Sequence, residues 1–247
     1  PAARFITGAT LRIDGGQAIN TFSFSGGKTT LGANGNWTRV SGQSAAALKF
    51  DLESEDIAAV LHAFGYAPNL DAKTSHFTGD LQWPPRAEGL KWELAKGPIT
   101  VDLKTGKLNA VDPGAGRVLG LLNFYALPRR LLLDFRDVVS TGLAFDTITG
   151  SFNLADGQAN TSNLNIAGPA LHMEVSGRVG LLSRDLDQLV KVHPSLSSGG
   201  VTLGVGAMLL GGPAAGALVL IAQQVFNKPL EKLTQFEYHV TGPWDNP

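Results

Sequence analysis

The sequence predicts a mainly β protein with some α. The expected architecture is a curved antiparallel sheet, open as a groove and half-barrel-like, covered by short helices. Three observations predict it. Apolar and polar residues alternate over long stretches, turn dipeptides punctuate those stretches, and the turn residues repeat at a fixed offset of 142 residues. Alternation at period two sends successive side chains to opposite faces of a strand. One oily and one wet face mark an antiparallel sheet solvated on one side.

Without a gap, the offset aligns Ile6-Thr7-Gly8 with Ile148-Thr149-Gly150, Asp14-Gly15 with Asp156-Gly157, Gly26 with Gly168 and Gly35 with Gly177. Each copy reads strand, turn, strand, turn, strand, turn, strand. Asp-Gly at both sites predicts type I′ hairpins, because that turn needs positive φ at both central residues. In the second copy Phe152, Leu164, Ile166, Leu171, Met173, Val175 and Val179 fall on one face, with Asn163, Asn165, His172 and Glu174 interleaved. The first copy alternates through Phe22, Phe24, Leu48 and Phe50.

After the first copy, Ile57, Val60, Leu61 and Phe64 make one helical stripe. Ser54 is placed to cap it, Glu55 and Asp56 favour its positive end, and Gly65 closes it. A returning strand carries His76-Phe77-Thr78-Gly79, echoed near the end by His239-Val240-Thr241-Gly242. Between the copies the sequence predicts a strand pair around Lys104-Thr105-Gly106-Lys107. A helical hairpin follows, started by Asp112-Pro113 and broken at Pro128. The expected divisions are therefore 1–83, a first β repeat with helix and returning strand; 84–141, the strand pair and helical hairpin; and 142–247, a second β repeat with an apolar helical segment and a C-terminal strand. All three are read as one continuous domain.

The segment from Val192 to Asn227 holds no Asp, Glu, Lys or Arg, and Val201 to Ala222 is almost wholly apolar. Its length suits roughly 30 Å of helix. Gly211-Gly212-Pro213 would break that helix midway. Three readings stay open: a helical hairpin on the oily face, contact with a bilayer, or a single span. For bilayer contact the candidate residues are Val205, Met208, Leu209, Leu218 and Leu220. For an apolar ligand the candidates are Phe145, Phe152, Leu164, Ile166, Leu171, Met173 and Val175.

Composition removes several functions. The chain has 247 residues, no cysteine and a formal net charge of −1. Disulfides, thiolate nucleophiles and thiolate metal sites are excluded, and no basic footprint for nucleic acid exists. The five histidines, His62, His76, His172, His193 and His239, make no metal-binding spacing. Ser25-Gly26-Gly27-Lys28 fits S-x-x-K but sits at a repeat turn, and Asp185 with Asp187 reads as solvated turn carboxylates rather than an acid/base pair. No catalytic residue, metal or cofactor is expected. Pro1-Ala2-Ala3-Arg4 carries no signal peptide and reads as the start of a piece of a longer protein.

Longer motifs carry a resemblance. Gly116-Arg117-Val118-Leu119-Gly120-Leu121-Leu122, Ala126-Leu127-Pro128-Arg129-Arg130-Leu131, Asp134-Phe135, Phe145-Asp146, Ala155-Asp156-Gly157, Val175-Ser176-Gly177-Arg178-Val179 and the ending Val240-Thr241-Gly242-Pro243-Trp244-Asp245-Asn246-Pro247 resemble the C-terminal domain of YhdP-type proteins. These belong to the AsmA-like superfamily of Gram-negative envelope proteins, with TamB as a relative. The resemblance implies a periplasmic section of a protein anchored in the inner membrane, with a sheet curled into an apolar groove. It also implies phospholipid movement between inner and outer membrane, outer-membrane integrity, and contact with phospholipid acyl chains and with the outer membrane or one of its proteins. A structural or docking domain for envelope assembly is the alternative. The family offers no catalytic residue to carry over.

Overall fold

The computed structural model describes residues 10–14, 17–86, 91–109, 142–194 and 235–244. They form a single open, curved antiparallel sheet of 11 strands, ordered β1 to β11 along the chain, so that each strand pairs only with its sequence neighbours. The strands are β1 Thr10–Asp14, β2 Gln17–Gly26, β3 Thr29–Val40, β4 Gln43–Ser54, β5 Leu70–Arg86, β6 Gly97–Leu108, β7 Leu143–Ala155, β8 Gln158–Ala167, β9 Leu171–Gly180, β10 Asp185–Pro194 and β11 Phe236–Pro243. One helix, α1 Ile57–Ala63, and one 3-10 turn, Trp92–Leu94, accompany them among the described residues. The sheet does not close into a barrel; β1 and β11 are its two edges.

Turn chemistry sets the meander. Asp156 and Gly157 have φ of 50° and 76°, the two positive angles of the type I′ turn that their sequence predicts. Ser41-Gly42, with φ of 51° and 80°, makes a second such turn between β3 and β4. In the first hairpin the closing pair is Asp14↔Gln17. Asp14 therefore belongs to β1 and its ladder, not to the turn that the repeat offset places at Asp14-Gly15.

Three expectations are corrected. The 104–107 segment is no hairpin but the interior of β6, a continuous strand. Thr105 there has φ 49°, a left-handed angle unusual for a β-branched residue. Opposite it the phase of burial slips by one residue. Leu103 and Leu108 in β6, Ile148 and Phe145 in β7, and Ser75 and Ala72 in β5 are all buried, although the members of each pair are an odd number of residues apart. Helix α1 is capped by Asp56, whose side chain accepts from Ala59 N at 3.0 Å, while Ser54 Oγ accepts from Asp56 N at 3.0 Å. Phe64 is the C-cap residue and points to solvent, because the helix ends one residue before the apolar stripe does. Gly65, with φ 78°, closes it as the sequence predicts.

The apolar helical segments expected within 110–141 and 195–234 lie outside the described residues, and with them Val205, Met208, Leu209, Leu218 and Leu220.

Candidate functional site

Strand pairing turns single-strand alternation into rows that cross the sheet. One row runs Leu31, Leu52, Phe77, Val101, Gly150, then Leu164, Val175, Val190 and Tyr238, without a charge, from β3 to β11. Beside it run Thr29, Ser54, Ser75, Leu103, Ile148, Ile166, Met173, Val192 and Phe236. At one spacing of roughly 4.8 Å per strand, nine strands extend such a row to about 38 Å. The opposite face carries Thr30, Glu53, His76, Asp102, Thr149, Asn165, Glu174, Lys191 and Glu237 in register. One oily face and one wet face result, as the alternation predicts.

The seven residues expected to line the oily face, Phe145, Phe152, Leu164, Ile166, Leu171, Met173 and Val175, are all buried, none more than 8% exposed. Two irregularities bring them together. In β8 the register shifts between Thr161 and Leu164, and Asn163 Oδ1 fills the gap by accepting from Ser151 N and Ser151 Oγ, each at 3.0 Å. In β6, Gly106 lies across from Phe145, and a Cβ there would run into the Phe145 ring and the Asp71 carbonyl. Glycine is what lets the ring lie flat on the strand.

The face is not uniform. Leu31, Ala33, Leu48, Phe50, Leu52 and Phe77 of β3–β5 share it but are only half-buried. Sequence reasoning centred the apolar site on the second copy, where the alternation is cleanest. The half-buried part of the same face is mainly in the first, over β3–β5, and recurs at Phe236 and Tyr238 on the β11 edge.

Polar groups are paired in ways that describe scaffolding. Arg178 makes a two-pronged bond to Asp185, Nη1 to Oδ1 at 3.0 Å and Nη2 to Oδ2 at 2.7 Å, and Ser183 Oγ also donates to Asp185. The guanidinium, then the serine hydroxyl, pull the Asp185 carboxyl from 3.8 to about 2, and the same bond raises Arg178. Asp187 hydrogen-bonds His239 at 2.9 Å, and Asp51 hydrogen-bonds His76 at 3.0 Å, one diagonal His–Asp pair on each returning strand. Asp185 and Asp187 are thus engaged as structural partners. Asp51, Glu53 and His76 also bring ligand-type atoms within 4.8 Å of one another on the wet face, the one such group among the described residues. The signal in the sequence was Asp51 and Glu53 two apart on a strand; the histidine arrives only through pairing. Beside them an open polar cavity of about 520 Å³ is lined by Lys28, Thr30, Glu53, Ser75, Asp102 and Lys104 among others. Ser75 Oγ and Asp102 Oδ1 are buried without a partner among the described residues.

A family model described as YhdP protein matches residues 6–247. The chain belongs to the YhdP family. A relative in Escherichia coli (strain K12), the intermembrane phospholipid transporter YhdP, is 30% identical over 243 residues, which is 98% of this chain and 18% of the relative. The chain therefore spans less than a fifth of that YhdP. No solved structure matches it. Among the described residues no helix is long and apolar enough to cross a membrane.

Proposed function

We propose that this chain is a lipid-handling section of a YhdP-type phospholipid transporter of the cell envelope, with acyl chains resting on the oily face of β3–β5. The carrying observation is the charge-free apolar row across nine strands, whose Val101, Leu164, Val175 and Val190 are buried while its Leu31, Leu52 and Phe77 over β3–β5 are only half-buried. An apolar surface held open to water gains by covering itself with hydrocarbon. Phe145, Phe152, Leu164, Ile166, Leu171, Met173 and Val175 continue the same face as its buried floor. A purely structural or docking role accounts for the buried half and leaves the open rows unexplained.

The sheet is read as two copies flanking β6, each with strands, a variable insert and a returning His-bearing strand. The section acts without catalysis, in the periplasm and within a protein anchored in the inner membrane, and takes part in moving lipid between the inner and outer membranes. Sequence alone supports bilayer contact by Val205, Met208, Leu209, Leu218 and Leu220, and liposome flotation of the chain tests it.

The decisive experiment is mass spectrometry of lipid retained by the purified chain. Phospholipid is expected on the wild type. Leu52→Asp is expected to stay folded and lose it by at least about tenfold, the effect of setting an unpaired carboxylate against hydrocarbon. A wild type free of phospholipid sinks the transport reading; a fully loaded Leu52→Asp moves the acyl seat elsewhere.

A further inference from the structure

All four tryptophans of the chain lie along one rim of the sheet, far apart in sequence but at the same strand ends. Trp37 comes three residues before the end of β3, Trp83 three before the end of β5, Trp92 opens the turn into β6, and Trp244 follows β11. The meander puts each of these positions on the side of the Ser41-Gly42 and Asp156-Gly157 turns.

They divide into two kinds. Trp83 Nε1 donates to the Lys91 carbonyl at 2.8 Å and Trp244 Nε1 to the Asp185 carbonyl at 3.1 Å, so both indoles are fixed. Trp37 and Trp92 are 45% and 44% exposed, and their N–H groups donate to no described residue. Exposed single apolar residues are ordinary on any surface. Here, however, the exposed large apolar side chains among the described residues are Trp37, Phe64, Trp92 and Leu182, and three of the four are on this rim.

Strand pairing puts two of these tryptophans on the oily face. Trp37 pairs with Ala46, and Ala46 with Trp83, so two indoles stand about 10 Å apart on that face with a methyl between them. Trp83 holds the carbonyl of Lys91, which places Trp92 next in line. Along β3, Trp37 is six residues from Leu31, roughly 20 Å of strand. One leaflet of bilayer hydrocarbon is about 15 Å deep. A phospholipid tail reaching the Leu31–Leu52–Phe77 row therefore leaves its glycerol and phosphate at the level of the indoles. An indole combines a large apolar body with a single N–H donor, which is why it settles where hydrocarbon meets polar headgroups.

Resting on the transport reading above, we infer that Trp37, Trp83 and Trp92 form an aromatic rail for the glycerol–phosphate region of a phospholipid. Its tails lie on β3–β5, and the Trp37 and Trp92 N–H groups donate to its ester or phosphate oxygens. Trp83 fixes the rail.

The test uses the 247-residue chain loaded with phosphatidylcholine carrying a nitroxide either near the ester or at the methyl end of one tail. The label near the ester is expected to quench tryptophan emission more strongly, and Trp37→Phe with Trp92→Phe to remove the part of that quenching that Trp83 does not carry. Because phenylalanine keeps the ring and loses the donor, the double variant is expected to bind lipid roughly tenfold more weakly, the loss of two hydrogen bonds. Equal quenching by both labels, stronger quenching by the methyl-end label, or an unchanged pattern and affinity in the double variant overturns the rail while lipid binding stands. No lipid bound by the wild type overturns the transport reading along with it.

Discussion

Phe50 lies across from Gly79 in the first half of the sheet, and Phe145 across from Gly106 in the second. The same device, an aromatic ring laid over a glycine in the neighbouring strand, serves both. Phe145 is 1% exposed, whereas Phe50 is half-buried. A Cβ at Gly79 would meet only the Phe50 ring, but one at Gly106 would also meet the Asp71 carbonyl. One chain thus uses one pattern for two purposes: a tightly packed floor, and a surface with room to adjust. The wet faces differ in the same direction. The Arg178–Asp185 fork sits at the β9–β10 hairpin, where the first copy has Gln43 in place of Asp185.

The contrast is most severely tested by truncation. Phe145→Ala is expected to destabilise by about 3–5 kcal/mol and Phe50→Ala by about 1–2 kcal/mol, since less area and no enclosed cavity are involved. Urea unfolding reads both, and equal losses would erase the distinction between floor and open surface. A smaller effect comes from filling the glycines. Gly106→Ala is expected to cost about 1–3 kcal/mol because backbone blocks the methyl, and Gly79→Ala less than about 1 kcal/mol because the Phe50 ring can swing aside. A reversed order would show that the Phe50 ring is as tightly held as Phe145.

Acid separates the halves next. The Asp185 carboxyl is lowered on folding, so its stabilisation is complete above its ordinary value near 3.8 and is lost as pH falls toward about 2. Arg178→Met is expected to remove this part of the acid dependence. NMR titration of the Asp185 carboxyl should then show it back in the ordinary range; an unmoved value would assign the shift to Ser183 instead. The smallest effect is local to the first half. Asp56→Ala removes the α1 cap and is expected to cost about 1 kcal/mol, with amide exchange speeding up in α1 while β9 and β10 stay unchanged.

What could be read before folding was whatever depends on near neighbours. The alternation of Leu171, Met173 and Val175 with His172 and Glu174 set their faces correctly, because side chains in a strand change sides at every residue. Asp156-Gly157 announced its turn through the φ it needs, and contiguous motifs such as Gly116 to Leu122 announced the family. Thr105-Gly106 misled for the same reason. Its residues are turn formers, but Gly106 is there to admit Phe145, a partner 39 positions away.

By itself the sequence determined a one-sided antiparallel sheet, the Asp156-Gly157 hairpin within it, and its family. Only the tertiary structure decided which stretch of the oily face stays open, that Asp51 and Glu53 meet His76, and that four scattered tryptophans share a rim. The reason is physical: face is fixed by local pleat, whereas row and rim depend on the count of residues in every turn and bulge between two strands. The extra residue near Asn163 and the left-handed Thr105 each change that count or phase, and neither leaves a periodic trace in the sequence.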